Sequence, residues 1–577
     1  MEDAQQKEAI ETESKQALII ATAGSGKTRC LIERIAYLVE KQKVSPSEIM
    51  SFSFSRKASQ EIRERLIARI GPPAHGCILG TMHSISLQMI QRFGETIGLK
   101  SRRVTVYNQW ESDYLLRDVA QEMGLHDGKK WKKLSKGDVD AVFAEHSQKG
   151  IEPAPDNPAH DIFQAFQQRC RANQSFPYDG LLAGLRLLIP VMAKYLNVKH
   201  ILTDENQDFT PLQWVIINEM ADAFGAAIFT VGDDDQSVYS FRGAVPEYLV
   251  DHQDEFDVFR LESNYRSVPS IVEASNRLIS HNQDRITKTM VATREELLPG
   301  PGVSVMKEMD SERIGNLTPF FTCPVAILGR NHFLLEKLSR LLDEKGVKHE
   351  YIGRTTALTN SEAFRRYHAF LKLAINPYDN FSFLLIRNII ELSRERYSEL
   401  RLGAAEKGTS HFQEWNSLTI DNASYIFQSG LSLAEICREI DVLCPELSPE
   451  ASAFVHNWEK EHPDSIEDYL NWLALYEVQD EIKEKTTGIA LMTIHAAKGL
   501  EWPVVILAGC NEGILPSKQS IANGEDESEV RLMYVAMTRA RDQLILTCRP
   551  EITEKDGRIY ESPVSRFVAW ATENKLR

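Results

Sequence analysis

The chain has 577 residues, 43% of them hydrophobic and 26% charged, with a formal net charge of -16. That length exceeds what one core supports and predicts roughly three to four domains of ordinary globular composition. No apolar run spans a bilayer and the acidic start Met1-Glu2-Asp3 lacks the apolar core of a secretory signal, so a cytoplasmic protein with no membrane partner is expected.

Strand-then-helix alternation dominates the first part. The pattern predicts a strand over Ala17 to Ala23, a helix over Lys27 to Val39, a strand over Glu48 to Ser55 and a helix over Arg56 to Ile70, stopped by Gly71-Pro72-Pro73. From about Met82 to Gly180 helical patterns prevail, with few strand signals and a basic stretch Lys129-Lys130-Trp131-Lys132-Lys133. Strands return at His200 to Thr203, Ala226 to Val231 and Phe259 to Glu262, which predicts one parallel α/β domain interrupted by a helical insertion. The breaker cluster Leu298-Pro299-Gly300-Pro301-Gly302 opens a second such region. Its strands are predicted at Val325 to Leu328, Ile489 to Ile494, Val504 to Ala508 and Leu544 to Thr547, around a helical stretch between Asn376-Pro377 and Gly488. None of the eight cysteines forms a C-x-x-C pair, and no His/Cys cluster surrounds Cys437 and Cys444, the closest two. Structural zinc, iron–sulfur clusters and a disulfide framework are therefore not expected.

The chemistry concentrates in a few segments. Ala21-Thr22-Ala23-Gly24-Ser25-Gly26-Lys27-Thr28 follows an apolar run and opens a helix, the build of a phosphate-binding loop. In such a loop the backbone N–H groups cradle phosphate, Lys27 reaches the β/γ phosphates and Thr28 holds magnesium. Ala21 stands where the general pattern has its first glycine, and a Gly/Ser-rich turn before an ordinary helix is the competing reading. Ile201-Leu202-Thr203-Asp204-Glu205-Asn206-Gln207-Asp208 is an apolar strand ending in acids, which puts Asp204 and Glu205 at the carboxyl edge of a parallel sheet. One carboxylate there can bind Mg²⁺ and the next can orient and deprotonate water; a surface acid pair is the alternative. Val231 to Ala244 places Gln236, Tyr239, Phe241 and Arg242 after another strand. An amide there can sense a γ-phosphate and the aromatics can stack bases, although Phe241 alone would also suit a core turn. The acidic net charge argues against nucleic acid for the surface as a whole, but binding depends on the local groove.

These segments together resemble the superfamily 1 helicases of the UvrD/Rep/PcrA type, in order and over nearly the whole chain. Gln6-Lys7-Glu8-Ala9-Ile10 is similar to that family's adenine-reading Gln motif. Ser53-Phe54-Ser55-Arg56-Lys57-Ala58 is similar to T-F-T-N-K-A, and Gly80-Thr81-Met82-His83-Ser84 to G-T-F-H-S. The acid strand, the Gly232 to Ala244 cluster and Asn264-Tyr265-Arg266-Ser267 match the motifs that follow. So do Thr493 to Glu501, Tyr534 to Ala540 and Ser565-Arg566-Phe567, while Asn331 and Asn376-Pro377-Tyr378-Asp379-Asn380 stand where the family has similar residues. Ser53, Ser55 and Arg56 depart from Thr, Thr and Asn; Asn206 replaces Ala, Phe or Tyr; and Val530 replaces a frequent Arg, so a peripheral salt bridge is expected to be missing.

The resemblance implies an α/β protein with two RecA-like parallel-sheet motor domains, each interrupted by a mainly helical insertion. The first motor domain is expected over 1–84 and 180–276 with its insertion at 85–179, the second over 277–376 and 486–577 with a shortened insertion at 377–485. ATP and Mg²⁺ are the implied cofactors. Lys27 would neutralise phosphate charge, Thr28 and Asp204 would hold Mg²⁺, Glu205 would activate water, Gln236 would contact the γ-phosphate, and Arg266 and Arg539 would act as arginine fingers. Ala23, Gly24, Ser25 and Gly26 would line the phosphate. Tyr265 and Arg29 would sandwich adenine with Gln6 on its edge, and Glu501 would touch ribose; Arg29 on its own reads as a solvated helix residue. Phe54, Tyr239 and Phe241 are the implied stacking aromatics for single-stranded DNA, with Thr81, His83, Thr493 and His495 as strand or interdomain contacts. For the two histidines a structural hydrogen-bonding role fits equally well. Leu544 to Tyr560, two extended runs around Glu554-Lys555-Asp556-Gly557, form either a strand-splitting hairpin or a simple surface hairpin.

The function implied is an ATP-dependent 3′–5′ translocase and DNA helicase acting on single strands and single/double-strand junctions, in repair, replication or phage-related DNA metabolism. The rival is a helicase-like ATPase subunit that regulates a partner nuclease or repair protein, as in anti-phage systems such as Gabija. The chain stops soon after Ser565-Arg566-Phe567, so neither a partner-binding tail nor an appended nuclease is expected. Stacking and phosphate contacts alone do not exclude an RNA motor.

Overall fold

In the computed structural model, residues 3–296, 302–307, 311–317, 323–352, 359, 361–418, 427, 431–447, 449–462, 465–476, 488–549, 551–553 and 559–572 are described. Strands Gln16–Ala21 (β1), Ile49–Ser53 (β2), Ile78–Thr81 (β3), His200–Thr203 (β4), Ala227–Gly232 (β5) and Asp257–Leu261 (β6) form a first sheet. Its order is β3-β2-β4-β5-β1-β6 and every pairing is parallel. Ala17 to Ala21 are each at most 1% exposed. A strand covered on both faces reads as an unbroken apolar run, which is why β1 was visible in the sequence. Each fully buried Leu or Ile there contributes about 1.5–3 kcal/mol. The register sets Ile20 beside Gly232 and Thr203 beside Thr230. The residues that follow β1, β4 and β5 therefore emerge at one carboxyl edge.

Val303–Met306 (β7), Val325–Gly329 (β8), His349–Tyr351 (β9), Ile489–Thr493 (β10), Trp502–Ala508 (β11) and Ala540–Thr547 (β12) form a second sheet. Its order is β7-β12-β11-β8-β10-β9, again parallel throughout. Both sheets belong to one compact unit, Met1–Thr81, Asn197–Arg354 and Val478–Arg577. Met82–Leu196 and Thr355–Glu477 form a second unit, mostly helical. Its core gathers Phe364, Tyr367, Phe370, Trp415 and Tyr469. Among the described residues no helix is long and apolar enough to cross a membrane.

Several expectations need correction. β3, β7 and β9 were not anticipated as strands. Thr105–Tyr107 pairs in parallel with Ser175–Pro177 inside the stretch read as helical. Leu544 to Thr547 is not a hairpin arm, because it belongs to β12 and pairs with β7 and β11. The hairpin is shorter, Glu551–Thr553 against Ile559–Glu561. Its turn, Glu554 to Gly557, and the breaker residues Leu298 to Pro301 lie outside the described residues.

Candidate functional site

The loop after β1 turns on two glycines in the left-handed region, Gly24 (φ 71°) and Gly26 (φ 84°). A Cβ on Gly24 would lie 2.8 Å from Arg266 Cβ and from Asn264 Nδ2, so only glycine fits. Gly26 is the N-cap of helix α1, Lys27–Glu40 in chain order after the short N-terminal helix Ala4–Glu11, and no side chain caps it. The first N–H groups of that helix lack intrahelical acceptors and make an anion site. Three neighbours fix the loop. Gln6 Nε2 donates to the Ser25 carbonyl (2.8 Å), Asn264 Nδ2 to the Ala23 carbonyl (2.6 Å) and the Tyr265 amide to the Gly24 carbonyl (2.9 Å).

Two acids face the loop from the end of β4. Lys27 Nζ lies 3.2 Å from Glu205 Oε2, and Thr28 Oγ1 lies 3.4 Å from Asp204 Oδ2. Glu205 holds φ 53°, a left-handed conformation unusual for a residue with a side chain. Burial, and then the Glu205 charge, push Asp204 up to about 7. Burial also acts to raise Glu205, but Lys27 and Lys498 outweigh it and hold that carboxyl down at about 2. Asn206 explains its departure from the family pattern by packing: a Cβ on Gly232 would fall 1.7 Å from Asn206 Oδ1, and Asn206 Nδ2 donates to Thr230 Oγ1 at 2.7 Å.

A hydrogen-bonded chain runs from these acids to the second sheet. Gln207 Nε2 donates to Glu205 (2.5 Å), and its Oε1 accepts the Asp233 amide (2.9 Å). Asp233 Oδ2 accepts Gln236 Nε2 (2.5 Å), and Gln236 Oε1 accepts Arg539 Nη2 (3.1 Å). Arg539, 1% exposed, also donates to the Val535 and Leu500 carbonyls. Burial and the Arg266 charge pull its guanidinium down to about 9. Lys498 crosses between the sheets as well, binding the Asp208 carboxylate and the Gln236 carbonyl (2.7 Å). Burial raises Asp208 to about 6 against the pull of Lys498. Gln207, Asp208, Asp233 and Lys498 had no individual role in the sequence reading; their motifs marked the region without revealing the pairing.

Other predicted residues are placed as follows. Arg266 Nε pairs with Glu501 (2.6 Å) and its Nη1 donates to the Thr538 carbonyl (3.1 Å). Glu501 also faces Arg541 at 3.6 Å, so its carboxylate is engaged by arginines. Tyr265 is 46% exposed, donates to Asp3 (2.6 Å), and feels the charge of exposed Arg29. Val530 is buried, and the charged contacts are carried beside it: Glu529 receives Arg330 (2.8 Å) and Arg531 faces Glu527 (3.5 Å). Ser55 caps the helix Arg56–Ile70, accepting the Ala58 amide.

The aromatic cluster divides by exposure. Phe241 is 68% exposed, Phe54 is half-buried, and Tyr239 is 3% exposed, stacked on Phe54 at 4.7 Å. Of the three implied stacking rings, Phe241 is the open one and Tyr239 is the covered one. Its ring is covered and its hydroxyl donates to the His495 carbonyl (3.2 Å). His495 meets Phe241 edge-on, and burial plus the charges of Arg330, Arg242 and Lys498 lower it to about 4, so it is neutral. Thr493 Oγ1 accepts the Ala496 amide, and Thr81 is buried at the end of β3. His83 lies in the helical unit, stacked on Tyr178 at 4.2 Å.

Residues 2–257 match the UvrD/REP helicase N-terminal domain, and residues 259–400 and 433–551 match the UvrD-like helicase C-terminal domain. The chain is similar to the ATP-dependent DNA helicase PcrA of Bacillus subtilis, 29% identical over 640 residues that cover 99% of this chain and 86% of that protein. It is also similar to the ATP-dependent DNA helicase UvrD1 of Mycobacterium tuberculosis (strain ATCC 25618 / H37Rv), 27% identical with 98% and 84% covered. The two matched domains follow one another over nearly the whole sequence, and the chain belongs to the UvrD/REP helicase family.

Proposed function

We propose that the chain is a DNA-stimulated ATPase that moves 3′ to 5′ along single-stranded DNA and opens duplex at single/double-strand junctions. The observation that carries this reading is the contact between Gln236 and Arg539, 3.1 Å, which joins the carboxyl edge of the first sheet to the second. An anion bound at the loop would meet groups from both sheets, so nucleotide state and domain closure are coupled.

Lys27 neutralises β/γ-phosphate charge, exchanging Glu205 for phosphate when ATP arrives. Glu205 then orients the attacking water and accepts its proton at the carboxylate. Gln236 contacts the γ-phosphate, and Arg266 and Arg539 stabilise the charge that develops there. The donors fit Mg²⁺: the Thr28 hydroxyl and the Asp204 carboxylate are hard oxygen ligands side by side, and the buried Asp204 lacks a full counter-charge. Magnesium held there would neutralise phosphate charge. Tyr265 and Arg29 flank the base; Gln6, committed through Nε2 to the loop, offers Oε1 to the adenine amino group. Glu501 reaches ribose only by sharing itself with Arg266. On the DNA face Phe241 is the open platform, backed by Phe54 and Tyr239, with Arg242, Arg330 and Lys498 supplying positive charge around His495. Thr81, His83 and Thr493 are strand contacts in this reading.

The test is Lys27→Ala, read by ATP hydrolysis and single-stranded DNA affinity separately. Turnover is expected to fall by about 100-fold or more, with DNA binding retained; near-normal turnover would sink the assignment. Unwinding of a 3′-tailed but not a 5′-tailed duplex supports the polarity. Unwinding that appears only when a nuclease is added favours the subunit reading instead.

A further inference from the structure

The segment 282–293, which leaves the first sheet toward the second, has no part in the reading above, yet it is gripped at three functional supports. Lys288, its side chain 1% exposed, sits among three consecutive carboxylates: 3.1 Å from Asp233, 2.5 Å from Asp234 and 2.8 Å from Asp235. Arg285 adds two bonds to Asp235, at 2.8 and 2.6 Å. Further on, Val291 and Ala292 pair with Ser263 and Asn264. Asn264 in turn binds the Ala23 carbonyl of the phosphate loop and the Arg266 amide. At the near end, Arg531 donates to the Asp284 carbonyl at 2.9 Å from the helix Asp526–Met537, which leads directly to Arg539.

Burying ionised groups in this number is costly, and a well-packed apolar cluster would stabilise the fold at least as well. One member of the cluster has a second task. Asp233 Oδ2 accepts Gln236 Nε2, while Asp233 Oδ1 has no hydrogen-bond partner among the described residues and only the ion pair with Lys288. Removing the ammonium would strand that oxygen and free the carboxylate to rotate. We infer that Lys288 is a positioning residue for Gln236: it fixes Asp233 so that Gln236 keeps Nε2 inward and Oε1 toward Arg539. Through Lys288 the segment 282–293 reaches the support of Gln236, whereas Arg285 anchors the segment to Asp235 alone. This rests on the ATP-site reading above.

The test uses the full chain with Lys288→Met combined with Asp234→Asn, which removes one charge of each sign from the cluster and keeps Arg285 on Asp235. The kcat of DNA-stimulated hydrolysis is expected to fall by about tenfold or more, with affinity for a non-hydrolysable ATP analogue and the melting temperature little changed. Arg285→Met, which removes a cation that bonds Asp235 and not Asp233, is expected to keep most of the turnover. A double variant with wild-type kcat overturns the inference. So does a loss of kcat that merely tracks loss of folded protein across both variants. Gln236→Ala is measured alongside. If it turns over normally, the ATP-site reading falls and takes the inference with it; if it is slow while the double variant is normal, the inference falls alone.

Discussion

Two buried polar networks in this molecule look alike in composition and differ in what they leave unpaired. In the helical unit, Asn376, fully buried, donates through Nδ2 to Thr105 Oγ1 (2.9 Å) and to the Asn173 and Gln174 carbonyls (3.0 and 3.1 Å), and its Oδ1 accepts the Tyr378 amide. Tyr107 and Ser382 both donate to Asp379. Burial raises Asp379, and Asn173 Oδ1 has no hydrogen-bond partner among the described residues; the other groups named use both ends on neighbours within the fold and stitch the stretch 105–177 to the stretch 376–382. The network between the sheets instead carries several buried charged groups that their neighbours do not balance. Asp204 and Asp208 are pushed up to about 7 and about 6, Arg539 is pulled down to about 9, and Asp208 Oδ1 has no hydrogen-bond partner among the described residues. A closed network fixes a joint, whereas an open one with frustrated charges is arranged for a ligand of complementary charge.

The comparison breaks first at Arg539. If the open network serves a ligand, Arg539→Ala lowers DNA-stimulated ATP turnover by about 10³-fold while nucleotide affinity without DNA changes little; equal losses in both would make Arg539 an ordinary core group. The closed network should respond in the opposite currency. Asn376→Ala takes the donor from Thr105 Oγ1 and the Asn173 carbonyl, while the Gln174 carbonyl keeps the Thr105 amide, and is expected to cost about 1–3 kcal/mol of stability, read as a lower melting temperature of the helical unit. Hydrolysis on short single strands should persist, and a loss of turnover with unchanged melting would erase the distinction. A smaller effect sharpens the border of the site. Phe241→Ala should weaken single-stranded DNA binding by about 1–2 kcal/mol and leave DNA-free hydrolysis unchanged. Tyr239→Ala is the counterpart on a covered ring; a clean binding defect from it, with normal stability, would reinstate it as a platform.

How far the sequence reached depended on whether neighbours in space were also neighbours in the chain. β1 and the loop after it were legible because burial on both faces writes a continuous apolar run that ends in Gly24-Ser25-Gly26-Lys27. The acids at 204 and 205 were legible for the same reason. β7 and β9 were not, because Val303–Met306 and His349–Tyr351 are short, half-buried edge strands without a strong period. Lys288 was invisible because its carboxylates lie more than fifty positions upstream, and no spacing rule joins them. Tyr239 and Phe241 have the same chemistry and nearly the same position. Only the packing of Phe54 and His495 decides which ring is covered. The departure at Asn206 shows no reason in the sequence, because the room for its side chain comes from Gly232, on another strand.

The threading of the second sheet has a consequence for the order in which the chain can fold. β8 lies between β10 and β11, and neither exists until residues 489–508 have been synthesised. In the interval an all-apolar strand, Val325-Ala326-Ile327-Leu328, waits without a partner while helices of the other unit emerge. Closing so long a loop carries an entropic cost that grows slowly with length, but the unpaired edge is exposed throughout. During synthesis, then, the burden falls on whatever shields that strand, and a ribosome that stalls between 330 and 488 leaves a nascent chain with a ready-made edge for aggregation.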